Sequence, residues 1–389
     1  MDYSFDELIN RRGTNAYKWD SCPDEDTIPL WVADMDFKTF PGIIEVLKKR
    51  VEHGIFGYTK VPDAYYQSVI NWFGSRHHWS FPKEWILYTS GVVPAISAVI
   101  KAMTQPGDQV IVQTPVYNCF FSSIRNNGCE IVSNPLIYEG QTYHIDFEDL
   151  EAKVSNPKAK ILLLCNPHNP AGRVWTKDEL MRIGEICVKQ HIWVISDEIH
   201  CEFVYPGHTY IPFASLSDEI QHHTITCNAP SKAFNTAGLQ IANIICDNEE
   251  VRQKIDKAIN INEVCDVNPF GVEALMAAYT SEGAEWLRQL NTYLLDNYHT
   301  LQAFFQTHLP QFPITVLEGT YLVWVDCTVC RMEDSEAIME HLLKYKVWVN
   351  EGLMYGKEGE HFIRINIACP RQRLMQGLER IKEGLLSFV

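Results

Sequence analysis

Four apolar runs, each closed by polar or turn residues, constrain this chain more than any other feature. They are QVIVQTP (109–115), ILLLCNP (161–167), WVISDE (193–198) and HHTITCNAP (222–230). Runs this continuous suit strands covered on both faces. Helical patterns lie between them. SGVVPAISAVIKAMTQPGD (90–108) reads as a glycine-containing turn, a helix and a stop at Pro106-Gly107. Thr176 and Glu179 form a capping box, T-K-D-E, that opens a helix through about Gln190. Strands alternating with helices predict an α/β fold with a mostly parallel sheet. Open sheets of this kind place ligands at the carboxyl ends of their strands, which is where the polar residues cluster here.

The flanks read differently. The chain is loop-like as far as Pro41. Ile43, Ile44, Leu47 and Val51 then recur at helical spacing and Gly54 closes the helix, and residues 62–78 repeat the pattern. After about residue 285 long amphipathic segments lead to an aromatic strand, TYLVWVDC (320–327), then a helix, a strand and a last helix from Pro370. At roughly 150 residues per domain, the 389 residues suggest two domains. The expected division is an N-terminal arm with part of the small domain (1–45), a large domain (46–285) and a smaller α+β C-terminal domain (286–389).

Charge excludes some partners. Asp and Glu number 49 against 33 Lys and Arg, a formal charge of −16. Broad nucleic-acid binding needs basic phosphate contacts, and an anionic membrane attracts basic segments, so neither is expected. No apolar run approaches a membrane span and no secretory signal is visible, so a cytoplasmic setting is expected. Twelve scattered Cys read as reduced thiols, and the single C-x-x-C at Cys327 and Cys330 has no second pair or suitably spaced His, so no metal is expected.

Four segments carry the chemistry. Gly91, before a helix, is either an ordinary turn or a phosphate seat at free backbone N–H groups. Asn169, in NPHNPAGRVW (166–175), is either a turn residue or an amide held at a strand end. Asp197, in SDEIH (196–200), is either a helix N-cap or a carboxylate paired with a cation; His200 is equally a surface or core histidine. Lys232, in APSKAFNTAGLQ (229–240), is either a solvated loop residue or an amine nucleophile or base. Their order narrows these choices. Asn169, Asp197 and Lys232 each follow a strand, at spacings that suit neighbouring strands of one parallel sheet. A carboxylate, an amine and a phosphate seat on one crevice suit a phosphorylated pyridine aldehyde.

These segments, with WVADMDF (31–37), FGYT (56–59), TPVYNCF (114–120), GTYLVWVD (319–326) and FIRINIACP (362–370), make the chain resemble the fold-type-I pyridoxal-phosphate (PLP) enzymes of aminotransferase class I/II. Within that group it is most similar to the cystathionine β-lyase-like C–S lyases. The resemblance runs nearly end to end and implies a mostly parallel seven-stranded sheet. It further implies Lys232 as Schiff-base lysine, Asp197 as partner of the pyridinium nitrogen and Asn169 as partner of the phenolic oxygen. Tyr117 would stack on the ring, and Gly91, Val92 and Ser231 would seat the phosphate. Tyr58 would reach the phosphate from a second subunit and assist proton transfer, which implies a homodimer with shared sites. Arg364 would bind the substrate carboxylate, with Ala33 and Tyr321 bordering the substrate. Two departures from the aminotransferase pattern match the lyase subgroup: His200 stands where many members carry Tyr in D-x-x-Y, beside the cofactor, and Gln240 where many carry a phosphate-binding Arg. The reaction implied is α,β-elimination from cystathionine or another cysteine S-conjugate. An aminotransferase is the alternative within the family; a regulatory binding protein on the same scaffold is the alternative outside enzymology.

Overall fold

A computed structural model describes residues 3–261 and 266–388. Seven strands form its main sheet: β1 (Ile86–Thr89), β2 (Gln109–Val112), β3 (Glu130–Ser133), β4 (Ala159–Cys165), β5 (Trp193–Asp197), β6 (Thr224–Asn228) and β7 (Ala242–Ile245). Their order across the sheet is β1-β7-β6-β5-β4-β2-β3. The pairs from β6 through to β3 are parallel, whereas β7 runs antiparallel to both of its neighbours. This is the fold-type-I architecture, with the seven-stranded, mostly parallel sheet that the resemblance implies.

The apolar runs behave as buried strands. Ile161, Leu163 and Cys165 of β4 join one hydrophobic cluster while Leu162 and Leu164 join another, so the two faces of the strand feed two separate cores. One core takes the inner face of the helix Val92–Met103, through Ala95, Ile96, Val99 and Ile100. The Thr176–Glu179 capping box is formed, and Gly54 ends the helix Pro41–His53 in the left-handed conformation.

A second sheet has three antiparallel strands, β8 (Leu322–Asp326), β9 (Asn350–Glu351) and β10 (Phe362–Asn366), in the order β8-β10-β9. The sequence predicts one strand between the last two helices. The chain makes three there, because Val347–Trp348 and β9 are two residues long and too short for a periodic signal. The segment before Pro41 is likewise not all loop: Tyr17–Asp20 is a helical turn, and Ile28–Pro29 pairs in parallel with Val347–Trp348. Among the described residues, no helix is long and apolar enough to cross a membrane.

Candidate active site

Strands β4, β5 and β6 lie side by side, and their carboxyl ends carry Asn169, Asp197 and Lys232 to one cleft. The cleft encloses about 190 Å³, and its walls include Ala33, Gly91, Val92, Tyr117, His200 and Ser231 as well. Nine residues singled out in the sequence therefore meet at one place. A larger cavity of about 270 Å³ lies beyond Ser90, between Tyr66, Tyr88 and Asn268, but among the described residues neither Lys nor His lines it.

Asp197 is the last residue of β5 and is buried. No helix starts after it; its Oδ1 accepts from the Ile199 amide at 3.1 Å in a turn. Burial, with the neighbouring Glu198 charge, pushes its pKa up from 3.8 to about 7. A carboxylate so placed is costly unless a cation joins it.

Lys232 lines the cleft and keeps part of its surface open. Protein packed around the amine, together with the Arg364 charge, lowers its pKa from 10.5 to about 8. Its Nζ donates to the Ala33 carbonyl at 2.6 Å, and the Tyr321 hydroxyl donates to the same oxygen at 2.9 Å. Lys232 is thus no solvated loop residue. Tyr321 is buried behind Ala33 and reaches the cleft through that carbonyl.

Gly91 caps the helix Val92–Met103, so the free amides of Val92 and Val93 face the cleft at its positive end. Both Asn-Pro bonds after β4 are cis. Asn169 Oδ1 accepts from Arg364 Nη1 at 3.0 Å. Arg364 is buried on β10, donates from Nη2 to the Trp31 carbonyl at 2.9 Å, and lies over the Tyr355 ring. His200 is buried and held neutral by burial and by the charges of Lys232 and Arg364. Its Nδ1 and the Nε of Arg364 have no hydrogen-bond partner among the described residues. Tyr58 lies outside this cleft and is 97% exposed.

The sequence reading missed the contribution of backbone oxygens from residues 31–37. Carbonyls in a loop have no signature in residue type. Asn366 was also missed, although its position two residues after Arg364 puts both on one face of β10.

A seven-stranded sheet with an amine, a carboxylate and a helix N-terminus converging at its carboxyl edge defines the class of fold-type-I transferases. The comparisons narrow that class. The chain belongs to the aminotransferase class I and II family, whose model matches residues 25–381. It is 42% identical over 386 residues to cystathionine beta-lyase PatB of Bacillus subtilis, covering 98% of this chain and 100% of that protein. It is 31% identical to protein MalY of Escherichia coli, covering 100% and 99% of the two chains. Among solved structures, cystalysin from Treponema denticola, which contains a pyridoxal 5'-phosphate cofactor, superposes with a TM-score of 0.96 at 36% identity over 100% of each chain.

Proposed function

We propose that this chain is a PLP-dependent carbon–sulfur lyase, which releases pyruvate, ammonia and a thiol from L-cystathionine or a related cysteine S-conjugate. The observation that carries the reading is the meeting of Lys232, Asp197 and Asn169 on three adjacent strand ends, with Arg364 bonded to Asn169. The named activities of PatB and of a C–S lyase from Staphylococcus hominis, 35% identical with a TM-score of 0.92, support the lyase over the aminotransferase.

The donor set fits the cofactor. Asp197 is a buried acid in want of a cation, Lys232 an amine of lowered pKa, and the Val92 and Val93 amides a seat for a phosphate. Two unpartnered buried nitrogens, on His200 and Arg364, lie around the same cleft. Lys232 would hold the cofactor carbonyl, Asp197 its ring nitrogen, Asn169 its phenolic oxygen and Tyr117 its ring face. Gly91, Val92 and Ser231 would take the phosphate, and His200 would border the ring. When bound, PLP supplies a protonated ring that accepts the electron pair left at Cα.

The side chains divide the remaining work. Arg364 pairs with the substrate carboxylate, a task suited to a planar guanidinium, and Ala33 and Tyr321 bound the substrate. Lys232 would take the Cα proton; a pKa lowered to about 8 suits an amine that must accept a proton and return it. The departing thiolate receives a proton from Lys232 or a tyrosine.

The assembly proposed is a homodimer in which Tyr58 completes the partner's site. Support comes from an exposed apolar run, Val51, Ile55, Phe56 and Tyr58, on one segment of the surface. A division into a large domain (46–285) and a small one (286–389, with 1–45 partly joined to it) is also proposed. Its boundary falls inside the helix Ser281–His308, which bonds Glu202 through Asn291 and Ile367 through Asn297. A cytoplasmic setting is supported by described cysteines that are all free thiols.

Incubation with cystathionine, with and without an oxo-acid acceptor, tests the function. Pyruvate and thiol released without acceptor are expected, and Lys232→Ala should abolish both. Amino transfer that depends on the acceptor, with no thiol released, refutes the lyase reading.

A further inference from the structure

Residues 31–37 form a strap that touches the cleft at Ala33, and side chains hold six of its seven carbonyls. The Trp31 oxygen accepts from Arg364 Nη2 at 2.9 Å and from Asn350 Nδ2 at 3.1 Å. Ala33 O accepts from Lys232 and Tyr321. Met35 O and Phe37 O accept from Asn235 Nδ2 at 2.9 and 3.0 Å, and Met35 N donates to Asn235 Oδ1 at 3.0 Å. Of the other three oxygens, those of Val32 and Asp34 both accept from the one amide nitrogen of Asn366, at 2.6 and 2.7 Å, and Asp34 O also accepts from Lys18 Nζ at 3.3 Å. Val32 and Asp34 bracket Ala33. Asn366 Oδ1 accepts from the Ala368 amide at 2.8 Å, and its side chain is fully buried, so both amide hydrogens and the oxygen are engaged.

We propose that Asn366 is a positioning residue for the elimination: by gripping the strap on both sides of Ala33 it fixes the Ala33 carbonyl as the acceptor that meets the Lys232 ammonium. The argument follows from where the proton goes. When Lys232 takes the Cα proton, a C–H bond breaks, an N–H bond forms, and a charged ammonium appears where surrounding protein disfavours the charge. A charge-assisted hydrogen bond to a fixed carbonyl steadies that ammonium more than the neutral amine. The Tyr321 hydroxyl on the same oxygen keeps the carbonyl from turning away. Because Arg364 and Asn366 share one face of β10, the strand that anchors the substrate carboxylate also sets the acceptor for the base. The proposal rests on the reading of Lys232 as the base.

The test uses the PLP-loaded protein and its PLP-free form. Asn366→Leu keeps much of the volume, removes both donors and adds no charge, and Asn366→Ala serves as a second variant. With cystathionine, kcat is expected to fall by roughly 10²-fold, the scale of a misplaced reacting group, while binding of L-alanine, which has no leaving group, stays within about threefold. In the PLP-free protein, the pH midpoint for labelling of Lys232 by an amine reagent should move below its wild-type value, because the ammonium has lost a fixed acceptor. Unchanged kcat overturns the proposal. So does a fallen kcat with an unmoved Lys232 midpoint, which would make Asn366 merely structural. Lys232→Ala in parallel separates the two levels: if it still eliminates, the base reading fails; if it is dead while Asn366→Leu is fully active, only the positioning role fails.

Discussion

Arg364 donates from Nη1 to Oδ1 of Asn169 at 3.0 Å, so strand β10 of the small sheet meets the loop beyond β4 through one buried hydrogen bond across 195 residues of chain. Arg364 Nη2 is at the same time engaged by the Trp31 carbonyl. The guanidinium is therefore aimed before any substrate arrives, and little ordering remains to be done on binding. Lysine offers a point charge on a flexible stem and cannot bridge both partners. Arg364→Lys is expected to raise KM for cystathionine by roughly 10-fold to 10²-fold, with a smaller fall in kcat. Steady-state kinetics on the PLP-loaded variant checks this; an unchanged KM would remove Arg364 from carboxylate binding.

Arg364 also acts on Lys232 through its charge. Burial is the larger cause of the lowered Lys232 pKa and Arg364 is the next, with Asp34 and Asp197 opposing both. In the PLP-free protein, labelling of Lys232 by an amine reagent should rise with pH through a midpoint of about 8. Arg364→Met removes a neighbouring positive charge, so the ammonium becomes easier to keep and the midpoint should move upward. A midpoint near the ordinary 10.5 in the unmodified chain would show that the amine is not crowded as described.

Asp197 makes the stability of the PLP-free protein depend on pH in a sense opposite to a salt-bridged carboxylate. Its folded pKa is raised from 3.8 to about 7, chiefly by burial. Between those values the unfolded chain has released the proton while the folded chain keeps it. Stability from this group is therefore full below about pH 4, falls as pH rises and levels off above about 7. Asp197→Asn cannot ionise and should gain thermal stability relative to the unmodified PLP-free protein as pH climbs through that window. A cation held beside the carboxylate cancels the penalty, so the melting-temperature gap between PLP-loaded and PLP-free protein should widen over the same range. Melting curves at several pH values decide it, and a gap that narrows with rising pH would contradict the raised pKa. Turnover of Asp197→Asn should fall on the order of 10²- to 10³-fold or more, because a neutral ring is a poor electron sink.

What could be read from the chain before folding was set by the physics of each element. Strands β2, β4, β5 and β6 are legible because burial on both faces demands unbroken apolar runs, and the residues just beyond β4, β5 and β6 stand out against them. β7 escaped notice: it is four residues long, follows the polar stretch around Gln240, and reverses direction through a tertiary contact with β1. The two-residue strands carry too few side chains for any period. Within the site, the side chains proposed to do the chemistry stand out through type and spacing. The strap did not, because its contribution is made by carbonyl oxygens whose aim depends on Asn235, Asn350 and Asn366, each far from it in sequence. Asparagine is common in turns, and only the folded chain distinguishes one that holds a backbone from one that bends it.

Tyr58 supplies the sharpest test of a shared site. It stands almost fully exposed on a segment with Ile55 and Phe56, which makes poor sense for a chain that works alone. If a second copy covers this segment and receives the tyrosine, a site needs Lys232 from one chain and Tyr58 from the other. Two variants, Lys232→Ala and Tyr58→Ala, would then each be impaired as pure dimers. Mixed and re-equilibrated, half of the dimers pair one of each, and every mixed dimer contains one site with both residues intact. Lyase activity should recover to roughly a quarter of the wild-type value at equal mixing, the arithmetic of a two-fold assembly. Elimination from cystathionine followed before and after mixing measures this, with sedimentation reporting the assembly state. No recovery between two variants that both dimerise would place Tyr58 outside the neighbouring site, and a monomeric wild-type protein would remove the shared-site assembly altogether.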